Sequence, residues 1–307
     1  MNAFQPSKMS AQMLHDTEFP DTQFSGGPDR SIGEIIKQAN NLSPEQIEQV
    51  LTYQREHNVR FGEAAIALGL VSSNDVLWAL AQQFHYPYSA ETGTKTLHPD
   101  LVVATKPFSP QAEAFRTMRS HLIMKMYSDT TLPRRALAVV SPDSGDGKSY
   151  LAANLAVAFS QLSGRTLLID ADMRIPRQHD IFGLADKSTG LSSILSGRAS
   201  TNVIHHIKEL SSLYVLPVGI VPPNPLELVE RPAFGLLIRE LLTKFDRVIV
   251  DTPAASLGTD GAVIAAKCGA ALLVARRDQS RIAALQNILA AASMGATQII
   301  GAVVNEF

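Results

Sequence analysis

Nine residues, Ser141-Pro142-Asp143-Ser144-Gly145-Asp146-Gly147-Lys148-Ser149, restrict what this chain can fold into more than any other stretch. The apolar run Ala136 to Val140 leads into them, and the helical run Leu151 to Leu162 leads out. A strand, a glycine-containing loop, Gly-Lys-Ser and a helix form the order that a phosphate-binding loop requires. Successive backbone N–H groups and the helix N-terminus present positive partial charge to an anion. Gly145 and Gly147 permit a tight turn and close backbone approach. Lys148 has the length to reach terminal phosphates, and the Ser149 hydroxyl can hold Mg²⁺. The strict pattern has glycine where Pro142 stands. An ordinary loop rich in small residues is the alternative.

The chain beyond the loop supplies what such a loop needs around it. Thr166-Leu167-Leu168-Ile169 reads as a buried parallel strand. It delivers Asp170-Ala171-Asp172-Met173-Arg174 at its C-terminal end, where open α/β sheets place their ligands. Two carboxylates beside a phosphate site can hold Mg²⁺ or its waters, and one can accept a proton. An acidic loop without such a role is the alternative. Tyr214 to Pro217 reads as a strand, Pro222 to Pro225 as a turn starting a helix at Leu226, and Ala233 to Lys244 as an amphipathic helix. Arg247 to Val250 is a further strand with Asp251 at its end, a position from which a carboxylate binds Mg²⁺ directly or through water. Gly269 to Arg276 and Gln298 to Asn305 supply two more strands, with helices at Ala262 to Lys267 and Arg281 to Ala292. This alternation predicts an α/β fold, a mostly parallel sheet with helices on both faces.

The 307 residues suit one large or two modest domains, and 45% apolar content supports a real core. A formal charge of −2 gives no electrostatic case for nucleic acid. The single cysteine, Cys268, excludes an intramolecular disulfide and fits a reducing compartment. It sits in an apolar segment as a small hydrophobe. The start of the chain shows no basic region followed by an apolar stretch. No run approaches the ~20 apolar residues of a membrane span. The expectation is a soluble cytoplasmic protein whose membrane role, if any, comes through a partner.

Residues 1–29 are polar, with Pro6, Pro20, Pro28 and Gly26-Gly27, and read as a disordered tether. An internal repeat follows. At an offset of 29, Ile32-Gly33-Glu34 aligns with Phe61-Gly62-Glu63, Ile36 with Ala65, Leu42 with Val71, and Ile47, Leu51 and Gln54 with Val76, Leu80 and Gln83. Each copy reads as a short helix, a turn and a longer helix, with Ser43-Pro44 as N-cap and first helical residue. Residues 30–88 thus form a small all-α domain, ended by His85-Tyr86-Pro87-Tyr88. It resembles the MshEN-type N-terminal domain of type II secretion and pilus-assembly ATPases. The second copy, Arg60 to Gln83, follows that family's motif. The first departs from it: Ser31 stands for Arg, Lys37 and Asn41 for apolar residues, and Asn40 for Gly. The resemblance implies cyclic di-GMP binding through Arg60, Gly62 and Gly69; protein docking or a purely structural role is the alternative.

Residues 89–110 read as a polar linker with Gly93, Pro99, Pro107 and Pro110. Ser109-Pro110 then caps a helix from Gln111 to Met126. Its Glu113, Arg116 and Arg119 share one face, opposite Phe115, Met118, Leu122 and Met126. Taken alone, that charged stripe is a solvated face worth a few tenths of a kcal/mol.

Together, residues 111–307 resemble the bacterial tyrosine kinases of exopolysaccharide systems, built on a P-loop of the MinD/ParA type. The shared elements are E-x-x-R-x-x-R at Glu113/Arg116/Arg119, Walker A at Ser144 to Ser149, Walker A′ at Leu167 to Arg174, Gly190-Leu191-Ser192, Val221 to Pro225, and Walker B at Val248 to Pro253. The resemblance implies ATP with Mg²⁺ and phosphoryl transfer to tyrosine hydroxyls. Ser144, Gly145, Asp146, Gly147, Lys148, Ser149 and Tyr150 would line the nucleotide, and Asn305 would meet the adenine. Ser149, Asp170, Asp172 and Asp251 would organise Mg²⁺. Lys148 would act on the phosphates, and Asp170 or Asp172 would take the phenol proton. Glu113, Arg116 and Arg119 would mediate a homo-oligomeric ring. The family's partner is a transmembrane polysaccharide chain-length regulator, which implies recruitment to the inner face of the plasma membrane.

Members of that family usually end in a tyrosine cluster, whereas this sequence closes on Glu306-Phe307 and its last tyrosine is Tyr214. Phosphorylation of a C-terminal tail is therefore not expected. Tyr127, Tyr150 or another protein remains as acceptor, with a structural role for Tyr150 as the alternative. A MinD/ParA-like ATPase switch without kinase activity is the second reading. Its marker lysine five positions before Lys148 is replaced by Asp143. A receptor for cyclic di-GMP or a protein partner is the third.

Overall fold

The computed structural model describes residues 31–83, 97–127, 133–184, 188–198, 203–210, 212–295 and 297–306. The tether at 1–29, the helix end at His85 to Tyr88 and the linker's first part, 89–96, lie outside the described residues. The described residues divide into two compact units, one within 31–83 and a larger one from 97 onward.

The smaller unit has the repeat that the sequence predicts: α1 (Ile32–Ala39) and α2 (Pro44–His57), then α3 (Phe61–Ala67) and α4 (Ser73–Gln83). Reciprocal caps set the helix starts. Ser31 Oγ accepts from Glu34 N at 3.4 Å while Glu34 Oε2 accepts from Ser31 N at 3.2 Å, and Ser43 and Gln46 repeat the arrangement. The aligned pairs Ile36/Ala65 and Leu42/Val71 are all buried in one core with Ile35, Val50, Ala64 and Ala79. Gly62 is a packing residue here: a Cβ on it would lie 2.6 Å from Val76 Cγ1.

The larger unit carries a seven-stranded sheet among the described residues. Its strands are β1 (Ala136–Val140), β2 (Thr166–Asp170), β3 (His205–His206), β4 (Leu213–Leu216), β5 (Arg247–Asp251), β6 (Gly269–Arg276) and β7 (Gln298–Asn305), in the spatial order β3-β4-β2-β5-β1-β6-β7. All pairings are parallel except the short edge pair β3–β4. β1, β2 and β4 are buried at every position, which is why they read as unbroken apolar runs rather than alternating ones.

Alternate strand residues feed two cores. Leu137, Val139, Leu168 and Ile249 pack with α5 (Val102–Thr105), α6 (Pro110–Met126) and α7 (Lys148–Ser160). Ala138, Val140, Leu167, Ile169 and Val250 pack with α9 (Leu191–Leu195), α10 (Pro225–Glu230), α11 (Pro232–Lys244) and α12 (Asp260–Cys268). The short α8 (Gln178–Ile181) lies after β2, and α13 (Ile282–Met294) joins β6 to β7.

One expectation is corrected. Residues 97–110 are part of the larger unit's body rather than a linker: Leu101, Val103 and Ala104 are fully buried in its core. Buried Asn154 fastens the segment, accepting from Val103 N at 3.1 Å and donating to Asp100 O at 2.7 Å. The prolines of this stretch disguise the short helix α5.

The Gly190-Leu191-Ser192 motif is a backbone docking point. Leu191 N donates to Pro217 O at 2.8 Å and Ser192 N to Val218 O at 3.0 Å. A Cβ on Gly190 would lie 2.3 Å from Pro217 O and 2.4 Å from Gly219 N, so only glycine fits between these chains. Gly190→Ala is expected to cost about 2–4 kcal/mol and to lower the melting temperature by roughly 4–12 °C. Gly301→Ala, whose Cβ would meet only Leu272 Cδ1 at 3.8 Å, serves as the neutral control. Equal melting curves for the two variants would contradict the packing described.

Candidate active site

The sheet order brings the motifs together. β2, β5 and β1 are neighbours, and parallel strands end on the same side. Register places Asp170 of β2 opposite Asp251 of β5, and Asp251 opposite Val139 of β1. The chain leaves β1 for β2 through α7 on one face and β5 for β6 through α12 on the other, the divergence at which open α/β sheets form a ligand crevice.

The phosphate loop occupies that edge. Gly145 and Gly147 have φ of 90° and 94°, conformations that favour glycine. Gly147 caps α7 without a side-chain hydrogen bond, so the first N–H groups of the helix are left for an anion. Pro142, the departure from the strict pattern, lies where the loop is clamped: Ser141 O and Pro142 O accept from Ala255 N and Ser256 N at 3.0 and 2.8 Å. Asp146 is buried, and its carboxylate accepts from Asp143 N at 2.7 Å and Ser280 Oγ at 3.1 Å. It braces the loop, leaving its main chain to face a ligand. Asn305 Nδ2 donates to Asp146 O at 3.1 Å, fastening the loop to the end of β7.

The two carboxylates after β2 differ in their duties. Asp170 is fully buried and accepts from three main-chain donors: Asp172 N at 3.2 Å, Arg177 N at 3.2 Å and Gln178 N at 2.9 Å. It folds the next loop around itself. Asp172 Oδ1 accepts from Arg174 N and Ile175 N at 3.1 and 2.9 Å, and Asp172 borders the open cavity. Arg174 turns away to make a bidentate pair with buried Asp260 at 3.0 and 3.2 Å.

Asp251 is fully buried; its Oδ2 accepts from Gln178 Nε2 at 2.8 Å, and its Oδ1 has no donor in hydrogen-bonding geometry among the described residues. Burial pushes its carboxyl up to about 6, helped by the charge of Asp172 and opposed by Gln178, Ser149 and Lys148. Burial, with the charge of Asp251, holds Asp170 well above the ordinary carboxylate range. The cause is shared: acidic groups crowded at dry strand ends.

Among the described residues no cluster of three acidic, histidine or cysteine side chains forms a metal cage. Mg²⁺ does not need one, because it takes one or two carboxylates plus substrate phosphates and waters. The donorless Oδ1 of Asp251, the adjacent Ser149 hydroxyl and Asp172 are hard oxygen ligands that fit it.

A cavity of about 990 Å³ is lined by Ser149 and Asp172, while Asp251 is buried outside its lining. Its polar end has Ser144, Gly145, Gly147, Lys148, Ser149 and Asp172; its apolar wall has Phe115, Met118, Tyr150 and Val303, with Asn305 at the rim. Tyr150 packs edge-on against Phe115 at 5.9 Å, and burial together with the charge of Asp100 raises its phenol. Sequence reasoning missed Asp100, Arg177 and Gln178. The first two form an ion pair at 3.6 Å in the lining of the cavity.

The charged stripe on α6 is used within the chain. Glu113 is exposed and pairs with Arg116 at 2.7 Å. Arg116 also donates to Pro107 O, and Arg119 donates to Ala158 O near the C-terminus of α7 at 2.7 Å. Arg60 lies in the smaller unit, with an exposed side chain at the N-cap of α3; Gly69 has φ of 66° and ends that helix exposed.

Residues 137–307 match the model of the CobQ/CobB/MinD/ParA nucleotide binding domain. The chain is 35% identical over 208 residues to CapB of Staphylococcus aureus, whose name classes it with the tyrosine-protein kinases; the match covers 67% of this chain and 89% of CapB. It is 31% identical over 205 residues to tyrosine-protein kinase Wzc of Salmonella typhi, covering 67% of this chain and 28% of that longer protein. The kinase domain of Escherichia coli tyrosine kinase ETK superposes with a TM-score of 0.64 at 28% identity, covering 71% of this chain and 84% of that one. Among the described residues, no helix is long and apolar enough to cross a membrane.

The raised carboxyls generate a pH signature. Asp170 and Asp251 keep their protons when folded at pH values where the unfolded chain has lost them. The contribution of Asp251 to stability is therefore full below about pH 4 and is lost as pH rises through about 6, and that of Asp170 is lost in the same direction. In metal-free protein, Asp251→Asn is expected to raise stability by roughly 1–3 kcal/mol at pH 7.5 and to change it little at pH 4. Melting curves at the two pH values, with EDTA, measure this; an equal effect at both would count against buried, proton-holding carboxyls.

Proposed function

Because the chain belongs to the CobQ/CobB/MinD/ParA nucleotide-binding family and, within it, to the bacterial tyrosine-protein kinases, we propose that it moves the γ-phosphoryl group of ATP to a tyrosine hydroxyl. The observation that carries the reading is the register of β2, β5 and β1, which sets Asp170, Asp251 and the phosphate loop at one sheet edge.

In this reading the free N–H groups at the start of α7 bind the phosphate chain, and Lys148 neutralises charge on the transferring group. Ser149, Asp251 and Asp172 hold Mg²⁺, which when bound draws charge from the phosphate oxygens. Asp172 is the base that takes the phenol proton. It borders the cavity, whereas both oxygens of Asp170 are occupied by main-chain donors. A phenol with an ordinary pKa of about 10 needs such a base at neutral pH. Phe115, Met118 and Val303 form the wall for the adenine, with Asn305 at its edge. Tyr127 and Tyr214 are poor acceptors within the same chain. Tyr127 is packed edge-on to Phe159 and pushed up to about 12 by burial, and Tyr214 is buried. Tyr150, packed on Phe115 in the cavity lining, is the remaining acceptor candidate in the kinase unit, and this reading takes a tyrosine of another polypeptide instead.

The wider setting belongs to the same proposal. The kinase acts in exopolysaccharide polymerisation or export at the inner face of the plasma membrane, with a transmembrane chain-length regulator. Exposed Glu113, beside Arg116 and Arg119, contributes to assembly of a ring. The helical unit is of the MshEN type and takes cyclic di-GMP through Arg60, with the αL turn at Gly69 shaping the loop beside it.

Incubation with labelled ATP, Mg²⁺ and the regulator's cytoplasmic segment tests the reading. Phosphotyrosine is expected, and Lys148→Met is expected to reduce it by at least about 100-fold. Free phosphate without phosphotyrosine would instead identify an ATPase switch. Calorimetry with cyclic di-GMP should give binding that Arg60→Ala weakens; no heat with the unsubstituted chain would remove the nucleotide role of the helical unit.

A further inference from the structure

We infer that Gln178 is a positioning residue for the metal-loaded nucleotide, holding the Asp251 carboxylate and the Ser149 main chain in the arrangement a hydrated divalent cation requires. The inference rests on the nucleotide-site reading above and concerns a residue that no motif marks.

Gln178 is fully buried at the start of α8. Its Nε2 donates to Asp251 Oδ2 at 2.8 Å and to Ser149 O at 3.0 Å, and its main-chain N–H donates to Asp170 Oδ2 at 2.9 Å. One residue thereby ties together the end of β5, the first turn of α7 and the end of β2. The orientation of the amide is set by its partners. Both are acceptors, so the reversed amide would set an oxygen against two oxygens.

That orientation leaves Gln178 Oε1 buried and, like Asp251 Oδ1, without a donor in hydrogen-bonding geometry among the described residues. Buried acceptors in native proteins are almost always satisfied. Here two side chains bonded to each other each retain an oxygen with no donor in good hydrogen-bonding geometry among the described residues. The Gln178 amide bonds the Ser149 main chain, and the Ser149 side chain lies close enough to the Asp251 carboxylate to favour its charge. Water held by a divalent cation is a donor that meets this demand. Partners of this kind, which orient a ligand rather than touch the metal, commonly change metal affinity about 10- to 100-fold when removed.

Gln178→Met keeps the volume and removes both ends of the amide. Two titrations of the full chain read the effect: ADP in EDTA by calorimetry, and Mn²⁺ into ADP-saturated protein by electron paramagnetic resonance of free Mn²⁺. The metal-free ADP affinity should stay within about twofold, and the Mn²⁺ dissociation constant should rise about 10- to 100-fold. Unchanged Mn²⁺ affinity in the folded variant overturns the inference. If the variant does not fold, the unsubstituted chain decides: the side-chain amide resonances of Gln178 should shift when Mg²⁺ is added to the ADP-saturated protein, and unmoved resonances overturn it. A chain that binds ADP and Mn²⁺ without dependence on Gln178 loses only this assignment. A chain that binds no ADP loses the nucleotide reading and this assignment together.

Discussion

The energetics of the larger unit turn on acidic side chains held side by side at the dry ends of adjacent parallel strands. Asp170 and Asp251 face each other in register, both fully buried. Water would stabilise their charges better than the protein interior does, so the arrangement persists only because neighbours supply donors. Three main-chain N–H groups converge on Asp170 and the Gln178 amide on Asp251. That demand shapes the neighbouring segments. The loop after β2 curls around Asp170, α8 begins where its last donor is needed, and one oxygen of Asp251 has no donor in hydrogen-bonding geometry among the described residues.

The remaining architecture keeps this edge rigid. Two cores clamp the sheet from opposite faces, and α7 is buried along nearly its whole length. The phosphate loop is clamped from behind by the loop after β5 and from the side by Asp146. A preorganised site of this kind spends little on reordering when an anion arrives. The helical unit has its own small core and its own caps.

Much of this was legible because parallel strands announce themselves. Gly269–Arg276 and Gln298–Asn305 begin and end where the apolar runs do, and a carboxylate directly after such a run must lie at the sheet's C-terminal edge. The repeat was legible for a similar reason: Ser43-Pro44 fixes a helix start by cap chemistry alone. The hidden features depended on distant partners. Nothing near Gln178 in sequence predicts a bond to Asp251, 73 positions away. Leu101, Val103 and Ala104 are too few between prolines to look like core, yet Asn154 draws them in. Asp146 reads as a nucleotide neighbour by position, although its carboxylate faces its own protein. The two-residue edge strand at His205–His206 has no apolar pattern at all.

The bracing of Asp146 has a bearing on biosynthesis. Its carboxylate waits for Ser280 and its carbonyl for Asn305, partners 134 and 159 positions downstream. A ribosome that has made β1, the loop and α7 has therefore produced the recognisable signature without the grip. Only when β7 has emerged and paired with β6 does the loop gain its lateral support. The order of synthesis thus withholds a finished phosphate cradle from the nascent chain until the sheet is complete.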